Sequence, residues 1–293
     1  MNSKRKKVKA QAVTTKIEIN ALPRIKLLDA QKGRRQQIEL LSSFVQNYFS
    51  ENSEAINILE AGCGRRWNLD LAGIKYKLTG VDINKEALEF RITHKRDLDR
   101  TILGDLRIVD LNPDKFDMIY CVDVIEHIKG VEQVLKKFFA WLRPKGLLIL
   151  VFPDRDSVFG FFTRLLPHWV HILYYKYIRG LKNAGKPGFG PFPTYYDEIV
   201  SRNGIYDFCY RHGHNIVLEY GRPYDLRLFG WLAAGARILF KFIEYFSFKK
   251  LAADYSGLVF VIVCLQKVLD RSGIKIREGF RFQIPSFSLL GNL

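Results

Sequence analysis

Short, continuous apolar runs alternate with amphipathic stretches along the middle of the chain. Runs at 56–61, 78–82, 101–103, 116–121 and 146–152 have the length and branched-aliphatic content of buried strands, while 84–91 and 130–142 space their apolar residues as helices do. That alternation predicts an α/β fold around a parallel, doubly wound sheet. Upstream, Ile38, Leu41, Phe44, Val45 and Phe49 recur at helical spacing and predict a helix over 34–49 against one sheet face. Asn84 is placed to cap the helix after the second strand, and Pro144 with Gly146 to close the one over 130–142.

After Phe152 the pattern changes. Residues 153–193 are rich in aromatics, histidine, proline and glycine, and read as an insertion. Thr194 with Asp197 three residues on has capping-box spacing and predicts a helix over 195–212. A strand follows at 215–220, then a long apolar helical stretch at 227–251, and a continuously apolar run at 257–265 that predicts a central strand. The expected division is a basic arm (1–33), a core (34–152), a lid-like insertion (153–213), the rest of the core sheet (214–269) and a polar, aromatic tail (270–293). Neither an internal repeat nor a low-complexity segment interrupts it.

Composition adds a charge asymmetry. Of a formal net charge of +16 over 293 residues, half sits in residues 1–40, which hold 11 Lys and Arg against 3 Asp and Glu. The arm reads either as a solvated tail or as a tether to anionic lipid, where each Lys or Arg is worth about 1 kcal/mol. Cys63, Cys121, Cys209 and Cys264 lie far apart without a Cys-x-x-Cys pair, which suits a reducing cytosol and suggests neither a disulfide framework nor a metal site. The arm lacks the apolar region of a secretory signal, and no run approaches the roughly 18–20 apolar residues of a membrane span.

The chemistry concentrates where Ile58-Leu59-Glu60-Ala61-Gly62-Cys63-Gly64 runs from a strand into a glycine turn. Gly80-Val81-Asp82 ends the next strand on a carboxylate, at the distance at which nucleotide-binding α/β domains hold a ribose. Glycines at 62 and 64 let the backbone turn tightly against a ligand. Glu60, two residues upstream, disfavours a pyrophosphate, and Arg65-Arg66-Trp67 replaces the third glycine of the dinucleotide fingerprint. A cofactor carrying positive charge is favoured, and a nicotinamide or flavin dinucleotide, serving an oxidoreductase, is the runner-up.

On these residues the chain resembles the class I S-adenosylmethionine-dependent methyltransferases, in particular the UbiE/UbiG-like group, over roughly 34–152. Besides the two stretches above, Gly104-Asp105-Leu106 is similar to that family's adenine-contacting loop. The run from Phe116 through Asp123 and Glu126 to Ile128 is similar to its fourth strand and Glu-His turn, and Leu142-Arg143-Pro144-Lys145-Gly146 to the start of its fifth. The resemblance implies a Rossmann-like seven-stranded sheet of order 3-2-1-4-5-7-6 with the seventh strand antiparallel. It also implies S-adenosyl-L-methionine held by Glu60, Gly62, Cys63, Gly64, Asp82, Ile83, Gly104, Asp105, Leu106, Cys121 and Val122. Arg66 stands where many members carry glycine, so Arg65 and Arg66 are either partners of the methionine carboxylate or solvated loop residues. Asp82 as a helix cap and Asp105 as a turn residue are the bland alternatives, and Cys63 and Cys121 read as small apolar fillers.

Methyl transfer asks mainly for alignment and exclusion of water, with a base only when the acceptor keeps its proton. His127 is the first candidate base, against a role in stabilising its turn; His168, His171, Tyr195, His212 and His214 are others, the first three read as substrate residues. The insertion, with Phe159, Phe161, Trp169 and Tyr177 among basic residues and a break at Pro167, is the natural acceptor lid, and its Gly-Pro loop around Gly185 and Pro193 a gate. In 228–246 only Arg237, Lys241 and Glu244 are charged. The broad apolar face with Phe229, Trp231, Leu232, Phe242 and Phe246 is either core or a helix lying in a lipid headgroup layer.

The expectation is a methyltransferase for an apolar small-molecule or lipid-linked acceptor, cytoplasmic, in peripheral contact with the inner face of an anionic membrane. Nucleic acid is disfavoured, because the basic residues are tail-weighted and Cys121-Val122-Asp123-Val124 replaces the Asp/Asn-Pro-Pro-Tyr type motif of base N-methyltransferases. A non-catalytic scaffold on the same fold is the alternative of another class.

Overall fold

The computed structural model describes residues 22, 24–186, 189–224 and 233–265. Most of the basic arm, the apolar residues Phe229, Trp231 and Leu232, and the 270–293 tail lie outside the described residues. Seven strands, β1 (Ile56–Ala61), β2 (Tyr76–Asp82), β3 (Arg100–Leu103), β4 (Phe116–Val122), β5 (Leu142–Pro153), β6 (Asn215–Arg222) and β7 (Gly257–Val263), join in one sheet. Its order is β3-β2-β1-β4-β5-β7-β6, with β7 antiparallel to both neighbours and the other pairings parallel, the arrangement the resemblance implied.

Alternation along the strands separates two cores, since successive side chains point to opposite faces. Leu148, Leu150 and Phe152 of β5 pack on one side with helices α3 (Val131–Trp141) and α6 (Arg202–His212). Leu147, Ile149 and Val151 pack on the other with Leu41 and Val45 of α1 (Gly33–Tyr48). β7 is buried at all seven positions because it lies between β5 and β6, as its unbroken apolar run required.

Several boundaries differ from expectation for physical reasons. Asn84 caps α2 (Lys85–Phe90), its side chain accepting from the Ala87 N–H at 3.1 Å, and the helix continues into a wide turn over Arg91–Lys95. Helix α3 stops at Trp141 and β5 begins at once, so Pro144 and Gly146 lie inside the strand's first residues. The helix expected over 195–212 starts only at Arg202, capped by Ser201, whose hydroxyl accepts from the Gly204 N–H at 3.0 Å. Asp197 is diverted to another helix: it accepts from the N–H groups of Gly130 and Val131 at 2.6 and 3.1 Å. α3 begins after a glycine with no side chain of its own to offer, so a carboxylate from the insertion supplies the missing cap.

The insertion leaves β5 through α4 (Val158–Leu165) and α5 (His168–Leu173), separated at Pro167 as expected, and a wide turn over Tyr174–Ile178. The described part of the 227–251 stretch is α7 (Ala233–Phe246), which packs beside α4 and buries none of its residues. The core alternative for this helix is thereby corrected. Its polar edge faces the body: Lys241 pairs with Asp254 at 2.8 Å, and Glu244 accepts from the Ala253 N–H at 3.2 Å. Its apolar edge, Ile238, Leu239, Phe242, Tyr245 and Phe246, faces out. Among the described residues no helix is long and apolar enough to cross a membrane.

Candidate active site

The turn after β1 is built by glycine conformation. Gly62 has φ +72°, and a Cβ there would run into Val124; Gly64 has φ +52° with open space beside its Cα. The N–H groups of Gly62 and Cys63 both donate to the Val81 carbonyl, at 2.8 and 3.1 Å. Asp82 ties the turn to β2: Oδ2 accepts from the Gly64 N–H and Oδ1 from the Asn84 N–H, both at 2.7 Å. Each carboxylate oxygen keeps a lone pair, enough for a ribose hydroxyl. Ile83 beside it is 74% exposed, an apolar side chain open to a ring.

At the end of β3, the Gly104 N–H donates to the Asp82 carbonyl at 3.0 Å, and Asp105 is gripped by the Arg107 guanidinium at 2.9 and 2.6 Å. That grip holds the Asp105 carboxyl below its usual range. Leu106 is buried beneath the loop. Cys121 and Val122 end β4. Burial pushes the Cys63 thiol up to about 12 and that of Cys121 well above its ordinary value, so neither is a nucleophile at neutral pH.

Glu60 does not present its charge to the turn, which corrects the sequence argument built on it. Its carboxylate is buried 3.0 Å from the Arg91 guanidinium, which also binds Asp97 at 2.7 Å and the Cys63 carbonyl at 3.0 Å. Glu60 thus steadies the turn through Arg91, and burial pushes its carboxyl up to about 8 even with Arg91 pulling it down. Arg91, thirty-one residues away and buried, had no local signal in the sequence. Arg65 lies 5.3 Å from the Phe90 ring and 5.9 Å from that of Phe189 in the insertion, with Glu86 at 3.6 Å; Arg66 is exposed.

Past the end of β4, Asp123 takes a left-handed φ of 54°, its N–H donating to the Val151 carbonyl at 2.7 Å. A short turn over Ile125–His127 follows. Nδ1 of His127 donates to the Pro193 carbonyl at 2.8 Å, because a carbonyl can only accept. Nε2 therefore keeps a lone pair, 3.7 Å from Glu126 Oε1. Burial lowers the His127 imidazole and raises the Glu126 carboxyl well above its range, so it favours the neutral form of each. The Tyr195 N–H donates to the Glu126 carbonyl at 2.9 Å, which fastens the insertion to this turn.

The other histidines separate. His168 lies within electrostatic reach of His127. His171 faces the last carbonyls of α4, Thr163 at 3.1 Å and Leu166 at 3.3 Å, so it closes that helix and is not free for substrate. His212 and His214 sit at the opposite, amino edge of the sheet, where His214 stacks on Phe139 at 3.6 Å; they are removed as candidate bases. Asp123 and Arg222, 3.1 Å apart, are site residues that sequence reading missed, since their pairing spans 99 positions.

A seven-stranded sheet of this order, with a glycine turn after β1 and a carboxylate closing β2, defines the class I S-adenosylmethionine-dependent methyltransferase fold. The family model described as "Methyltransferase domain" matches residues 33–185, just over half of the chain, and the chain belongs to that family. Curated relatives include the ubiquinone biosynthesis O-methyltransferase of Haemophilus ducreyi, 28% identical over 40% of this chain and 55% of that protein. The mitochondrial enzyme of that name from Saccharomyces cerevisiae is 27% identical over 37% of each. The matches thus span about half or less of these relatives' own length. An S-adenosylmethionine dependent methyltransferase from Mesorhizobium loti superposes with a TM-score of 0.47 at 12% identity, over 75% of this chain and 95% of that one. Membership of that family implies S-adenosyl-L-methionine in place of the dinucleotide runner-up, and the open Gly64 turn, the spare lone pairs of Asp82 and exposed Ile83 fit it.

Proposed function

We propose that this methyltransferase acts on an oxygen of an apolar or lipid-linked acceptor while resting on an anionic membrane surface. The observation that carries the reading is the orientation of α7, whose ion-paired edge faces the body while Ile238, Phe242, Tyr245 and Phe246 face out. An apolar helix face turned to water is costly unless something apolar covers it. Arg237, Lys249 and Lys250 are exposed along the same element and just after it, the charge that anionic headgroups would meet. Helix α5, which follows α4 in the chain, buries nothing either and exposes Trp169 and Leu173. The four free cysteines suit the reducing face of a membrane.

Bound at the Gly64 turn, S-adenosyl-L-methionine supplies an electrophilic methyl group on a sulfonium. Asp82 would accept from the ribose hydroxyls, and Ile83 would cover one side of the base. His127 takes the acceptor hydroxyl's proton at Nε2, and it is neutral and ready to do so because burial opposes its charging. The insertion, fastened through Tyr195 and Asp197, excludes water from that step. The O-methyltransferase names of the relatives support an oxygen acceptor.

Transfer of radiolabelled methyl into a cell extract, followed by partition, tests the reading. Label is expected in the organic phase, at a rate that rises when anionic vesicles are added. Label confined to the aqueous phase would remove the apolar acceptor.

A further inference from the structure

Arg222 ends β6 level with Gly257 of β7, which in turn pairs with Pro153 of β5, so it stands at the carboxyl edge of the sheet beside the His127 turn. Its carbonyl accepts from the Ser256 N–H at 2.8 Å. Its side chain lies across Gly257: a Cβ there would sit 2.6 Å from both Nε and Nη2. Glycine at 257 is what lets the guanidinium cross β7 and meet Asp123 at 3.1 Å. Asp123, for its part, holds a left-handed backbone that costs a non-glycine residue about 1–2 kcal/mol and that persists at ligand sites more than elsewhere.

The network is only half satisfied. Asp123 engages one of the guanidinium's five N–H donors, whereas Nε of Arg222 and Oε2 of Glu126 are buried without a hydrogen-bond partner. Glu126 is 2% exposed and feels both Asp123 and Arg222. Unpaired polar atoms in a dry place are expensive, and a ligand that completes them accounts for their retention. The surrounding charge says which ligand. Arg155, Arg164 and Arg179 gather at the same edge, Arg164 being lowered by burial and then by Arg155, and Arg179 acting on Tyr175 beside Asp123 and Glu126. Burial holds Glu126 and Asp154 toward their neutral forms, which leaves Asp123, Asp156 and Glu198 to oppose four arginines. The edge carries surplus positive charge and favours an anion.

We infer that Arg222, steadied by Asp123 across Gly257, anchors an anionic oxygen of the methyl acceptor, which makes the acceptor an amphiphilic acid: an apolar body with a carboxylate-like head. The inference rests on the methyltransferase reading of the site and narrows its substrate class. Calorimetry on the full chain saturated with S-adenosylhomocysteine tests it with two probes of matched shape, 4-heptyloxybenzoate and 4-heptyloxybenzamide. The wild-type protein is expected to bind the benzoate about tenfold more tightly, and Arg222→Gln to bring the two affinities within about twofold while its S-adenosylhomocysteine affinity is kept. Gly257→Ala, which displaces the guanidinium, is expected to shrink the preference in the same direction. Equal wild-type affinities, no binding of either probe, or a preference that survives Arg222→Gln would overturn the inference. If Arg222→Gln does not fold, the wild-type ratio alone decides. Failure of S-adenosylhomocysteine itself to bind is a separate result, which removes the cofactor site and not the anion anchor.

Discussion

Helices α3 and α7 are both strongly apolar, and they face opposite ways. α3 buries Val131, Val134, Leu135, Phe138, Phe139 and Trp141 against the sheet and leaves Glu132 and Lys136 paired at 3.2 Å on its outer side. α7 places its paired residues inward, through Lys241 with Asp254 and Glu244 with Ala253, and leaves its aromatic edge uncovered. Hydrophobic periodicity locates a stripe on a helix, but the partners of its polar residues decide which side meets the body. Where those partners belong to the body, the stripe is left for something outside it.

The contrast is open to attack at several points, and the largest effect lies in α3. Phe138→Ala opens a void in the packed core and is expected to destabilise the protein by about 3–5 kcal/mol, read from urea unfolding. In the turn that leads into α3, His127→Asn is expected to lower kcat by about 10²- to 10⁴-fold with little change in cofactor affinity. Because burial lowers the imidazole, wild-type kcat should rise with pH through a midpoint below 6.5 and stay level above it. A midpoint well above 7, or full activity in the variant, would leave His127 a turn-stabilising residue.

A smaller effect is expected at Asp154, where the insertion carrying α4 and α5 leaves the core. It is buried, accepts from the Asp156 N–H at 2.9 Å, and its carboxyl is pushed from an ordinary 3.8 up to about 7. The folded state therefore holds a proton that the unfolded chain has lost, and the contribution favours folding at low pH and fades as pH rises from about 4 to about 7. Asp154→Asn keeps the accepting oxygen and removes the titration. The stability difference between variant and wild type should grow in the variant's favour from pH 5 to pH 8; a difference flat with pH would contradict it. Glu60, raised for the same reason, leaves the variant a residual slope of the same sign. The smallest change in stability belongs to α7, where Phe242→Ser with Phe246→Ser should alter unfolding by no more than about 0.5 kcal/mol per site, since neither ring is buried.

The same distinction explains what was legible in the chain. Strands buried on both faces read as unbroken apolar runs, so the bounds of β1, β4 and β7 and the buried part of β5 are legible, and local capping makes Asn84 recognisable. The glycine turn and Asp82 were legible because backbone conformation and spacing are local properties. What failed depended on partners distant in sequence. Asp197 looked like the start of its own helix but caps α3, Glu60 looked like a free charge but meets Arg91, and Arg222 meets Asp123 across the sheet. His212 and His214 carried suitable chemistry, but β6 begins at the amino edge, away from the cofactor turn.

Sedimentation with vesicles is the measurement closest to the central claim, that the outward edge of α7 rests on an anionic membrane. The wild-type protein should pellet with vesicles containing anionic lipid at low salt, and in part at high salt, where the aromatic contact remains after the charges are screened. The doubly substituted Phe242→Ser, Phe246→Ser protein, equally folded, should stay in the supernatant at high salt. Wild-type protein that remains in solution in both salts, or a variant that pellets as the wild type does, would contradict the account.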